Sequence, residues 1–92
     1  MTILVTGAAS GIGAALMTRL GRSAIGLDRA GADIICDLSD PAAIDAVAAQ
    51  ISLPLAGIAH VAGLPGTANA AAIFGVNTHA PALLTKALLP ML

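Results

Sequence analysis

Seven residues near the start of the chain, Gly7-Ala8-Ala9-Ser10-Gly11-Ile12-Gly13, have the makings of a phosphate cradle. Gly7 can turn the chain sharply. Gly11 carries no Cβ to obstruct an approaching pyrophosphate. Gly13 lets a following helix lie close to the strand before it. A helix opening within the turn would add free N–H donors and a partial positive charge, with Ser10 and Ile12 on the same turn. The alternative for such glycines is a tight turn that holds nothing. Their position between a strand and a helix favours the nucleotide reading.

Asp28 follows Gly7 by twenty-one residues. A carboxylate at the end of the second strand can accept hydrogen bonds from the hydroxyls of an adenosine ribose. Its charge would repel a 2′-phosphate, which points to NAD rather than NADP. Arg29 beside it argues the other way, since an inward guanidinium could pair with that phosphate. Asp37 has two readings of equal weight, contact with adenine or service in the turn that leads to Pro41. Asn77 and Pro81 form a further pair. In a helix the N–H of residue 81 would bond the carbonyl of residue 77, and proline has none. The Asn77 carbonyl is thereby freed for water, and the helix should kink there. The alternative is a purely structural kink. His60, His79 and Cys36 match no zinc spacing, so no metal is expected.

These residues need elements to hold them. Thr2–Thr6 reads as a β-branched strand and Gly11–Leu20 as a helix with Ile12, Leu16 and Leu20 on one face. Gly21 would stop it. Ala24–Leu27 and Ile34–Cys36 read as short strands ending at Asp28 and Asp37. Asp40 and Pro41 then open a helix carrying Ile44, Val47 and Ile51. Ala56–Val61 is a fourth strand. Ala71–Leu89 is a long helix with a stripe at Ile73, Val76, Ala80, Leu84, Ala87 and Met91. Alternating strands and helices imply an α/β, Rossmann-type doubly wound parallel sheet, of which about four strands, the first half, are present. The connection between strands two and three is shortened. It has room for an extended return but not for a helix, so a parallel pair and a hairpin both stand.

Composition limits the alternatives. With 92 residues, the chain is at most one domain. At 58% hydrophobic it is not disordered. A formal net charge of −1 gives no basis for a nucleic-acid partner. Residues 46–85 carry no Asp, Glu, Lys or Arg, but prolines, glycines, asparagines and His60 interrupt the run, so no membrane span is expected. So apolar a chain fits strands buried on both faces. The single cysteine suits a reducing cytoplasm.

With Thr6-Gly-Ala-Ala-Ser-Gly-Ile-Gly13, Asp28, Asp37-Leu38, Ala62-Gly63, Val76-Asn77 and Leu88-Leu89-Pro90-Met91 in place, the chain resembles the N-terminal half of a short-chain dehydrogenase/reductase. Its two shortened stretches, Asp28 to Asp37 and Gly63 to Asn77, are similar to the bacterial 3α-hydroxysteroid dehydrogenase/carbonyl reductase branch, as is Ala62-Gly63-Leu64-Pro65-Gly66. The resemblance implies that Asp37 and Leu38 flank the adenine, that the Ala62 and Gly63 backbone borders the cofactor ribose, and that the Asn77 carbonyl holds a water in the proton relay. It also implies hydride transfer between the nicotinamide of NAD and a secondary alcohol or ketone, a hydroxysteroid among them, in a homo-oligomer. The family's Asn-Asn-Ala-Gly is His60-Val61-Ala62-Gly63 here, so the side-chain bonds that normally brace strand four are lost.

The family's catalysis also uses a serine and a Tyr-x₃-Lys pair. The chain has no tyrosine, and its only lysine, Lys86, matches no catalytic position. Residues 1–92 are therefore expected to be the NAD-binding N-terminal part of a single Rossmann domain, with the catalytic half outside them. A dinucleotide-binding module without chemistry and an inactive fragment are the alternatives.

Overall fold

The computed structural model describes all 92 residues. The β-branched run at the start forms β1 (Ile3–Thr6), and Gly7 ends it. α1 runs over Gly11–Leu20, and Gly21 stands at its C-cap. β2 (Ala24–Asp28) and the two-residue β3 (Ile34–Ile35) follow. Asp40 caps α2 (Pro41–Asp45), its carboxylate accepting the Ala42 N–H at 3.0 Å. One turn of 3₁₀-helix, Val47–Gln50, continues it, so the expected helix is shorter and tighter than its apolar spacing suggests. β4 is Gly57–Ala59.

All four strands are parallel, in the order β3-β2-β1-β4. This settles the choice between strands two and three in favour of the parallel pair. Leu27 lies opposite Ile34 and Asp28 opposite Ile35. Residues 29–33 suffice for the return because the paired stretch is so short. Asp33 completes the edge that β3 is too short to cover, its carboxylate accepting the Gly26 N–H at 2.8 Å.

Strand alternation divides the apolar residues between two faces. Leu4, Leu27 and Ile34 form the core with Ile44, Val47 and Ile51, all buried. Complete burial of each such side chain contributes about 1.5–3 kcal/mol. Helix α4 (Ala80–Leu88) closes that core with Ala80, Leu84 and Leu88. On the opposite face α1 lies over Gly26, where an added Cβ would sit 3.0 Å from the Met17 methyl carbon and 2.8 Å from the Ala8 Cβ.

Ile12, at the N-terminal end of the apolar face of α1, is 78% exposed. The long last helix is interrupted near Pro81: α3 (Ala70–Phe74) passes into a π-helical turn, Gly75–His79, before α4. The Ala80 N–H reaches back to the Gly75 carbonyl, one residue farther than in an α-helix. The break falls just before Pro81, where a proline ring crowds the carbonyl four residues back. No helix is long and apolar enough to cross a membrane.

Candidate functional site

A cavity of about 550 Å³ opens where the C-terminal ends of the strands meet α1 and α3. It lies where the strand order reverses between β1 and β4, the usual ligand position in an open parallel sheet. The glycine turn forms its floor through Gly7, Ser10, Ile12 and Gly13. Asp28, Arg29, Asp37 and Leu38 form one wall, and Ala62 and Gly63 the other. Gly11 and Asn77 do not line it.

The turn is built by close approach. Gly7 has φ +67, and a Cβ there would lie 2.9 Å from the Ala62 Cα. A Cβ on Gly13 would overlap the Gly7 carbonyl oxygen, so helix and turn can touch only with glycine at that position. Around Gly11 nothing lies within 4 Å of an added Cβ, which leaves its surface open to a ligand. Ser10 occupies the N-cap of α1 in extended conformation, and its hydroxyl makes no capping bond. That hydroxyl and the first N–H groups of the helix are free to meet an anion.

The Asp28 carboxylate is tied to backbone on both sides. One oxygen accepts the Ala9 N–H at 3.0 Å and the other the Arg29 N–H at 2.7 Å. The Ala8 N–H bonds the Leu27 carbonyl at 3.2 Å, so two successive turn amides are stitched to the end of β2. Asp37 serves its local turn: one oxygen accepts the Ser39 hydroxyl at 2.7 Å and the Ser39 N–H at 2.9 Å. Those bonds, with Arg29 nearby, hold its carboxyl below the usual range. Both readings of Asp37 thus have a basis, because the same residue lines the cavity. Cys36 belongs to the same cavity lining; burial, with the carboxylates of Asp37 and Asp40, pushes its thiol up.

The wall beyond β4 is held by two side chains whose bracing roles the sequence did not reveal. The buried Thr6 hydroxyl accepts the N–H groups of Val61 and Ala62, each at 3.0 Å, and faces the Ala59 carbonyl at 3.5 Å. The Asn77 side chain grips Leu64 at both ends, accepting its N–H at 2.7 Å and donating to its carbonyl at 3.0 Å. A Cβ on Gly63 would come 3.4 Å from the Asn77 amide oxygen. Strand four therefore keeps its bracing without the missing asparagines. A threonine ending an apolar strand is the one signal in the sequence for Thr6. The sequence points to the Asn77 carbonyl, whereas it is the side chain that does the clamping. His60 places its Nε2 2.9 Å from the Thr85 hydroxyl, tying the end of β4 to α4. Partial burial lowers the His60 pKa.

No protein-family model matches the chain. A coniferyl-alcohol dehydrogenase of a Pseudomonas species is 38% identical over 96 residues, which cover 95% of this chain and 38% of that protein. The 3α-hydroxysteroid dehydrogenase of Pseudomonas sp. B-0831, solved in complex with NADH, superposes with a TM-score of 0.82 at 40% identity, over 96% of this chain and 38% of that one. An NADPH-bound carbonyl reductase from chicken fatty liver shares the fold, with a TM-score of 0.77 at 24% identity, over 98% of this chain and 50% of that one. The chain spans about 38% of the length of the two Pseudomonas relatives. In sequence and in fold, the chain is similar to part of these two Pseudomonas dehydrogenases.

Proposed function

We propose that these residues form the cofactor-binding part of an NAD-dependent oxidoreductase acting on a secondary alcohol or ketone, with hydroxysteroids as the substrate class its branch suggests. The observation that carries this reading is the cavity itself. It gathers the glycine turn, the β2-end carboxylate and the Ala62–Gly63 backbone, although these lie up to fifty-six residues apart.

The residues fit a dinucleotide. The open surface at Gly11, the unbonded Ser10 hydroxyl and the α1 N-terminus would take the pyrophosphate. Asp28 would accept from the adenosine ribose, and Asp37 and Leu38 would flank the adenine. Ala62 and Gly63 would border the second ribose. When bound, a nicotinamide supplies or accepts the hydride. Asn77 would support the proton path through its carbonyl, which Pro81 cannot serve as a donor. The acidic Asp28 supports NAD over NADP. The single thiol supports a cytoplasmic setting, and the family likeness supports a homo-oligomer. The tyrosine and lysine of the reaction would come from outside residues 1–92, in the same Rossmann domain.

Fluorescence titration with NADH tests this reading. Saturable binding, weaker for NADPH, is expected. No binding of either nucleotide would overturn it.

A further inference from the structure

We propose that Asp28 is a positioning residue for the phosphate-binding turn as well as a ribose ligand. This inference rests on the dinucleotide reading of the cavity. The Asp28 carboxylate is bonded to backbone at both of its oxygens. One oxygen accepts the Ala9 N–H at 3.0 Å and the other the Arg29 N–H at 2.7 Å. Ala9 lies in the middle of the turn, between Gly7 and Gly11, the two glycines with positive φ there. Its neighbour Ala8 is held by the Leu27 carbonyl at 3.2 Å. The turn is thus fastened to the end of β2 by one bond from the backbone and one from a charged side chain. A charge-assisted bond is the stronger kind. Without the carboxylate, Ala9 would lose its partner in β2, and the amides around Ser10 and Gly11 would no longer be held in one arrangement.

Each carboxylate oxygen has two acceptor sites, so holding Ala9 and Arg29 leaves room for two ribose hydroxyls. One side chain therefore couples the two ends of the adenosine site. Removing it disturbs the pyrophosphate end as well as the ribose end, and a loss of affinity should follow even for ligands that have no adenosine.

The test uses reduced nicotinamide mononucleotide, NMNH, which keeps a phosphate and the nicotinamide but lacks the adenosine ribose. NADH and NMNH are titrated against the wild-type protein, Asp28→Ala and Asp28→Asn. Loss of a hydrogen bond to a charged group should weaken NMNH about tenfold in Asp28→Ala. Asp28→Asn keeps one acceptor oxygen for Ala9 and should lose less. Hydrogen exchange at the Ala9 amide, measured without ligand, should accelerate about tenfold in Asp28→Ala. An Asp28→Ala protein that binds NMNH as the wild type does, with Ala9 exchange unchanged, would overturn the proposal and leave Asp28 a ribose ligand alone. If wild type bound neither nucleotide, the dinucleotide reading would fail, and the Ala9 exchange would still decide whether Asp28 holds the turn.

Discussion

The floor of the cavity and its wall beyond β4 are made by different means. The turn between β1 and α1 owes its shape to what is absent: Gly7 and Gly13 lack the Cβ atoms that would strike Ala62 and the Gly7 carbonyl. The wall beyond β4 owes its shape to what is present, the Thr6 hydroxyl on Val61 and Ala62 and the Asn77 amide on Leu64. The floor depends on backbone space and the wall on side-chain hydrogen bonds from distant positions. The first should therefore tolerate no added atom, whereas the second should weaken in proportion to the bonds removed.

The largest effect is expected at Gly13. Gly13→Ala puts a methyl carbon into the Gly7 carbonyl and should cost about 3 kcal/mol, since neither helix nor strand can move aside cheaply. Chemical denaturation measures that cost, and NADH titration should show binding lost with it. A fully stable Gly13→Ala protein would mean that the turn is not packed as described.

Thr6→Val comes next. It keeps the shape and removes the acceptor for two N–H groups, at about 2–3 kcal/mol by denaturation. Thr6→Ser retains the hydroxyl and should recover most of that. Asn77→Ala leaves Leu64 exposed to water rather than buried without a partner, so its cost should be about 1 kcal/mol. Faster amide exchange at Leu64, with the glycine turn unaffected, is its signature.

The smallest effect is a pH dependence. The folded His60 pKa lies below the ordinary 6.5, so below pH 6.5 the unfolded chain binds more protons than the folded one. Stability present above pH 6.5 should therefore fall as the solution is acidified through the folded pKa. His60→Gln should flatten that part of the profile when denaturation is repeated between pH 7.5 and 5.5. An unchanged slope would mean that His60 is not desolvated in the folded protein.

The glycine floor is legible in the sequence because its signal is local. Gly7, Ser10, Gly11, Ile12, Gly13 and Asp28 sit between or at the ends of elements whose apolar runs announce them. The parallel pairing of β2 with β3 was not legible, because five connecting residues allow either direction and only the packing of Leu27 and Ile34 into one core selects between them. The exposure of Ile12 was hidden for a related reason. Helical spacing places residues on a common face but does not say how far along that face the neighbouring sheet extends.

Residue type and spacing were enough to specify the strand–turn–helix unit, the β2-end carboxylate and the interruption near Pro81, since each follows from steric and hydrogen-bonding limits within a few residues. Folding alone brought Thr6 to Val61, Asn77 to Leu64 and Asp28 to Ala9. A polar side chain can bond any donor that comes within about 3 Å, and which donor arrives depends on how the sheet and helices pack.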